Sequence, residues 1–158
     1  MDLRFAEESD LEAITALINR AFEVERFFKT NERLTLADTR EYFAKGRYLL
    51  AEEGGSLIAC AYVELQGDRC YLGQLSVDPS RQKSGLGRRL SVAAEEFARE
   101  MGVHQMVLTV VNLRTELPPF YERLGYTVTG TEPIPEQMAR HVSQPCYFVR
   151  MSKPLGNN

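Results

Sequence analysis

An apolar stretch that ends at Val77 is broken by Asp78-Pro79, and an amphipathic pattern resumes near Leu86. Between them lies a turn with three basic side chains, Arg81, Lys83 and Arg88, and two glycines, Gly85 and Gly87. Residues 72–101 therefore read as strand, glycine-bearing basic turn and helix N-terminus. That order makes an anion site, because backbone N–H groups converge there and the helix dipole favours negative charge. Gly85 and Gly87 remove the Cβ at alternate positions, so an anion can approach successive amides and the turn can take angles open to glycine. The expected donors are the amides of Gln82, Lys83, Gly85, Gly87 and Arg88, with charge assistance from Lys83 or Arg88. Arg81 would reach a more distal charge. The plainer alternative is a loop closed by glycines beside a solvated basic helix end.

The rest of the chain supplies neighbours for this turn. Residues 3–5 alternate like a short strand, and Ser9 to Glu12 has the spacing of a capping box. Leu11, Ile14, Ile18, Ala21 and Phe22 follow at helical spacing. Residues 23–34 lose that period while keeping Phe27 and Phe28 side by side. A second helix is predicted over 36–44, stopped by Gly46. Strands at 48–52, 57–65 and 70–77, separated by Gly54-Gly55 and Gly67-Asp68, read as an antiparallel meander. The helix after the glycine turn carries Leu86, Leu90, Ala93, Phe97 and Met101 on its apolar face and ends near Gly102. Residues 106–111 form a continuous apolar, β-branched run, as expected of a central strand parallel to a neighbour. Pro118 and Pro119 suit the first turn of a further helix that ends at Gly125. A strand at 126–131, a loop at 132–144 and a strand at 146–151 complete the chain.

These elements predict one mixed α/β (α+β) domain over 1–158: a mostly antiparallel sheet with a parallel central pair, flanked by about four helices. Composition narrows the function. A net charge of −3 argues against general nucleic-acid binding, which needs many phosphate contacts from Lys and Arg. Cys60, Cys70 and Cys146 are odd in number and lack ligand spacing, so buried thiols are expected rather than a disulfide or metal framework. The first ten residues have no apolar core of a secretory signal. No run approaches the ~18 apolar residues of a membrane span. A cytoplasmic protein is expected.

Two motifs in this order resemble the GNAT superfamily of N-acetyltransferases. Gln82-Lys83-Ser84-Gly85-Leu86-Gly87 is similar to the family's Gln/Arg-x-x-Gly-x-Gly/Ala signature, and it lies between a strand and an amphipathic helix as the family requires. Phe120-Tyr121-Glu122-Arg123-Leu124-Gly125-Tyr126 looks like the family's Tyr-x-x-x-Gly-aromatic segment. The two lie about forty residues apart with a buried strand between them, a far more specific signal than a lone glycine pattern. The resemblance implies acetyl-CoA as co-substrate, with Gln82, Lys83, Ser84, Gly85, Leu86, Gly87 and Arg88 around its pyrophosphate. It also implies that the 70–77 strand parts from the 106–111 strand. Leu75, Ser76 and Val77 would then offer backbone groups to pantetheine as to an added strand, and one amide would serve as oxyanion donor. In one respect the chain departs from the family. Where relatives carry Asn seven residues before the tyrosine, position 114 is Arg, and Asn112 is the nearest substitute for the pantetheine contact.

The resemblance makes Tyr121 the general acid for the departing thiolate, since a phenol with a pKa of about 10 approximately matches such a leaving group. Helical spacing alone favours packing beside Phe120 and Leu124. Many relatives place a Glu on the meander as general base, but here Gln74 stands where an acid is expected. Glu64, Glu25, His141 and a water chain using Ser76 are the open alternatives. Acceptor recognition falls to residues 23–34, the meander and residues 132–144. The expected activity is direct acetyl transfer to a primary amine of a small molecule or peptide, within a ternary complex. No acyl-enzyme, metal, nucleic acid or membrane partner is expected, and a homodimer is compatible with the family. A catalytically silent acyl-CoA-binding or sensing module is the alternative. A protein binding other nucleotides is a third, weakened by the lack of a P-loop pattern.

Overall fold

The computed structural model describes residues 2–31 and 33–156. The expected domain span and the 23–34 segment therefore include positions outside the described residues. Seven strands form one sheet: β1 (Asp2–Phe5), β2 (Arg47–Glu53), β3 (Ser56–Gln66), β4 (Arg69–Val77), β5 (Gln105–Val111), β6 (Thr127–Pro133) and β7 (Tyr147–Pro154). Their order across the sheet is β1-β2-β3-β4-β5-β7-β6. Only β4 and β5 pair in parallel, and every other neighbouring pair is antiparallel. The mixed sheet with a parallel central pair is thus the one the sequence predicts. The α-helices are α1 (Leu11–Ala21), α2 (Leu36–Lys45), α3 (Leu86–Glu100), α4 (Leu117–Arg123) and the single turn α5 (Glu136–Ala139).

Alternation along the central strands sends side chains to two cores. Leu49 and Ala51 of β2, with Ala59, Ala61 and Val63 of β3, pack with Leu86, Leu90, Ala94 and Phe97 of α3. Tyr48 and Leu50, with Cys60 and Tyr62, face Leu11, Ile14, Leu17 and Ile18 of α1 on the opposite side. The period of 2 in the strands and of about 3.6 in the helices produces this division. Met101, expected on the apolar face of α3, instead lies just beyond the helix and is exposed. Leu90 sits at the centre of the α3 face and has no exposed surface.

Three boundaries differ from the sequence expectation. The Ser9–Glu12 capping box does not form, because the chain reaches α1 through a 3₁₀ turn at Glu8–Asp10. Asp10 accepts the Glu7 N–H at 2.7 Å and is held by Arg4 at 2.8 Å. That charged grip draws Asp10 to the helix start in place of Ser9. The box appears at α2 instead: Thr35 Oγ1 accepts the Asp38 N–H at 3.1 Å, and Asp38 accepts the Thr35 N–H at 3.0 Å. Finally, β6 continues to Pro133 and α5 interrupts the segment expected to be loop. No helix among the described residues is long and apolar enough to cross a membrane.

Replacing Leu90 by Ala should lower the unfolding free energy by about 2–5 kcal/mol, the range for a fully buried leucine. Urea denaturation followed by circular dichroism measures it; a change under about 1 kcal/mol would show that α3 is not held by this contact.

Candidate functional site

β4 begins in register with both neighbours and then leaves one of them. Its parallel pairing with β5 consists of Cys70 against Met106 and Tyr71 against Val107. On its other side, Cys60 pairs with Ser76 and Tyr62 with Gly73, so β4 holds one residue more than β3 over that interval. The extra residue makes a bulge, which bends a strand and raises its local twist. Gln74 sits at the bend with φ +51°, a left-handed angle uncommon for a residue other than glycine. Its side chain is fixed by the Tyr48 hydroxyl, which donates to Gln74 Oε1 at 2.7 Å. Its carbonyl accepts Ser76 Oγ–H at 3.0 Å. Gly73 allows the Tyr71 ring to lie across the strand, since a Cβ there would stand 2.6 Å from that ring.

Past the bulge the two strands enclose a cavity of about 600 Å³. Gly73, Gln74 and Leu75 form one wall, and residues 108–111 of β5 form the other. Leu75 thus lies on the parted edge as expected. Ser76 is buried, and Val77 is half-buried at the end of the strand.

The glycine turn follows directly. Asp78 accepts the Ser80 N–H at 3.0 Å and starts a 3₁₀ turn at Pro79–Arg81. Lys83 and Gly85 then take φ values of +68° and +82°, and Gly85 is the N-cap of α3. Two left-handed residues reverse the chain and leave Gln82, Lys83, Ser84 and Arg88 exposed around the helix start. Ser84 Oγ–H donates to the Arg81 carbonyl, and Arg81 forms an ion pair with Glu53. Leu86 anchors the turn through its buried side chain. At Gly87 the geometry supplies another reason for glycine. Its backbone is helical, and an added Cβ would lie 3.3 Å from Phe120 and 3.8 Å from Leu75. Its missing side chain makes room for α4 rather than for an anion.

Tyr121 is 7% exposed and lines the cavity from α4. Its ring meets Phe120 and Tyr126 edge-on at 5.0 and 5.7 Å. Burial pushes its pKa well above the ordinary phenol value, with Tyr71 adding to the rise and Arg114 opposing it. The phenol is therefore protonated at neutral pH, but it is a weaker acid than a free phenol, which departs from the match to the leaving thiolate expected from the sequence. Asn112 faces β7 and does not line the cavity. Its Oδ1 accepts the Tyr147 N–H at 2.8 Å, while its own N–H donates to the Tyr147 carbonyl at 2.9 Å.

The acid candidates are dispersed. Glu64 lies off the cavity wall and accepts the Tyr62 hydroxyl at 2.7 Å and the Gln66 amide at 3.0 Å. Glu25 is 3% exposed and bound to Arg114 at 2.9 Å, with Arg33 at 3.6 Å. His141 lines the cavity, as do Tyr71, Lys29, Arg33 and Glu41, four residues that no sequence pattern singled out. Tyr71 had one available signal, its place two residues before a strand glycine. Two of the three segments expected to contact an acceptor are joined: Lys29 bridges Val142, the Thr30 N–H donates to the His141 carbonyl at 2.8 Å, and the Ser143 N–H to the Phe28 carbonyl at 2.8 Å. Burial pushes the Cys60 thiol up to about 12 and the Cys70 thiol up to about 11, so neither is a thiolate at neutral pH. Among the described residues no group of three or more His, Cys, Asp or Glu is placed to hold a metal ion.

Residues 11–126 match the family model described as Acetyltransferase (GNAT) family. An L-methionine sulfoximine/L-methionine sulfone acetyltransferase of Salmonella typhimurium is 30% identical over 146 residues, 84% of this chain and 84% of its own. A mycothiol acetyltransferase of Thermobispora bispora is 32% identical over 127 residues, 75% of this chain. The chain spans 43% of that relative's length. Among solved structures, the yncA protein of Salmonella typhimurium with its cofactor acetyl-CoA has a TM-score of 0.75 at 24% identity, covering 100% of this chain and 95% of that one. The ribosomal-protein-S18-alanine N-acetyltransferase of Escherichia coli has a TM-score of 0.78 at 18% identity, covering 98% and 94%. These two likenesses speak for the fold, and the family match covers most of the chain. The chain belongs to the acetyltransferase (GNAT) family.

Proposed function

We propose that the chain is a single acetyltransferase domain that moves an acetyl group from acetyl-CoA to a primary amine, by direct attack in a ternary complex. The observation that carries this reading is the parted edge of β4, which opens beside the glycine turn and opposite Tyr121. Pyrophosphate sits at the exposed amides of residues 82–88, where the dipole of α3 and the charges of Lys83 and Arg88 favour it. Pantetheine runs along the unpaired backbone of Leu75, Ser76 and Val77 as an added strand. Asn112 serves this binding indirectly, by clamping the end of β5 to β7.

The acceptor nitrogen attacks the thioester carbon, and a β4 amide receives the oxyanion. The C–S bond then breaks with its electron pair on sulfur. Tyr121 gives its proton to that sulfur, and the nitrogen releases its surplus proton to water near Ser76 and the Gln74 carbonyl. Gln74 Oε1 already holds the Tyr48 hydroxyl, and Glu64 on the meander lies off the cavity wall, so no meander carboxylate lines the cavity for the base role. The raised pKa of the two buried thiols fits a route without an acyl-enzyme.

Acetyl-CoA and free CoA should both raise the melting temperature and ATP should not; ligand at a hundred times its Kd adds about 2.7 kcal/mol of stability. Release of CoA thiol across a panel of amines, including methionine sulfone and a short peptide, then tests turnover. Binding without release on the whole panel would identify a coenzyme-binding or sensing module instead. Tyr121→Phe should lower kcat by about 10²-fold or more while the KM for acetyl-CoA stays put. Unchanged kcat would remove Tyr121 from the mechanism. Gly85→Ala, which forces a Cβ onto a left-handed angle, should cost roughly 1–2 kcal/mol of stability and weaken acetyl-CoA binding, read by the same thermal shifts.

A further inference from the structure

One cluster of charges on the cavity wall lies outside the groups proposed above for the coenzyme. Lys29 is 9% exposed and lines the cavity. Its ammonium has no hydrogen-bond or ion-pair partner among the described residues. Arg33 also lines the cavity, with its guanidinium 4.4 Å from the centre of the Phe22 ring. Its nearest carboxylate oxygen, Glu25 Oε1, stands 3.6 Å away, beyond hydrogen-bond length. The other oxygen of Glu25 is taken by Arg114 at 2.9 Å, and Arg114 also holds Glu116 at 3.0 Å.

Among the described residues both nearby carboxylates, Glu25 and Glu116, are hydrogen-bonded to Arg114, and neither Lys29 nor Arg33 has a carboxylate oxygen within hydrogen-bond length. Burial and the neighbouring Arg33 drive the Lys29 ammonium below its usual range, while Glu25 and Cys146 oppose that shift. A cation buried without a counter-charge is costly, and an anion in reach relieves it. The remaining wall charges do not supply that anion. Asp38 is engaged in the α2 cap, and Glu41 is exposed on α2 beside the equally exposed Lys45.

We propose that Lys29 and Arg33 form the anion-binding end of the acceptor site and select amines that carry a carboxylate; this rests on the acetyl-transfer reading above. The planar fork of Arg33 matches a carboxylate in two parallel hydrogen bonds, and Lys29 adds a point charge. With Asp38 and Glu41 also on the wall, a singly charged carboxylate fits better than a phosphate monoester, which brings about −1.5 to −2 at pH 7. The position is set by backbone as well as side chains. Lys29 is bridged to Val142, and the Thr30 N–H is bonded to the His141 carbonyl, so the subsite sits on two joined segments.

The experiment compares kcat/KM for a set of α-amino acids, their carboxamides, their decarboxylated amines, their aminophosphonate analogues and dipeptides, using CoA release by the full chain. Amino acids should exceed their carboxamides by roughly 10- to 100-fold, mostly through KM, as expected for hydrogen bonds to charged groups. Arg33→Gln and Lys29→Gln should each pull that ratio toward one, with the acetyl-CoA thermal shift reporting whether the variant is folded. In the unaltered protein, a carboxylic acid lacking the amine should compete with the acceptor, and its amide should not. Preference for dipeptides would identify a peptide carboxylate as the group bound. Carboxamides or decarboxylated amines accepted as well as the acids, or phosphonates preferred to carboxylates, would overturn the inference while leaving acetyl transfer intact. Acetyl-CoA binding with no acceptor turned over would overturn both.

Discussion

The cleft depends on one buried hydrogen bond, from the Tyr48 hydroxyl to Gln74 Oε1 at 2.7 Å. A left-handed angle at a residue with a Cβ costs roughly 1–2 kcal/mol, and such angles persist only where the surroundings over-determine them. Here Tyr48 holds the side chain of Gln74, and Ser76 holds its carbonyl. Gly73 admits the Tyr71 ring over the strand just before the bend. With that angle held, β4 carries an extra residue against β3 and its parallel pairing with β5 ends at Tyr71. Without it, β4 would continue beside β5 and the space for a third strand-like partner would close. The glycine turn comes right after the bent end, so the same constraint sets where the turn stands relative to the cavity.

A second constraint acts from the far side of the cavity. Glu25 is 3% exposed and binds Arg114, which is 89 positions away in the chain. Breaking a buried pair by removing one partner leaves an uncompensated charge, so the pair fixes the 3₁₀ segment Phe22–Phe27 against the β5–α4 connection. Arg114 stands where an asparagine was expected. Its work is to hold that connection, while Asn112 clamps β5 to β7.

Much of the fold follows from local patterns. The alternation of Tyr48, Leu49, Leu50 and Ala51 assigns them to opposite cores, and the β-branched run of β5 places it inside the sheet. Local patterns misled where a distant charge competed. Ser9 has the spacing of a cap, yet Arg4, itself tied to Glu52 on β2, pulls Asp10 into that place. The bulge was equally hidden, since nothing in Gly73-Gln74 announces a positive φ at glutamine. It depends on Tyr48, 26 positions earlier. Lys29 and Arg33 lie in a segment with no period at all, so only the fold brings them to the cavity beside Glu25.

This difference separates the two halves of the site by the kind of group that makes them. The coenzyme half, as proposed, relies on backbone: amides of a turn and an unpaired strand edge. Backbone geometry needs particular residues only at special angles, such as Gly85, or at close approaches, such as Gly87 against Phe120. Those residues form a readable motif. The acceptor half proposed above relies on side-chain charges, Lys29 and Arg33, in a segment whose apolar pattern gives no sign of the cavity. Substitution at Lys29 or Arg33 would alter the acceptor without touching the strand edge or the turn. A fold with this division could keep one donor and exchange acceptors, because the proposed acceptor contacts lie on side chains outside the strands of the sheet.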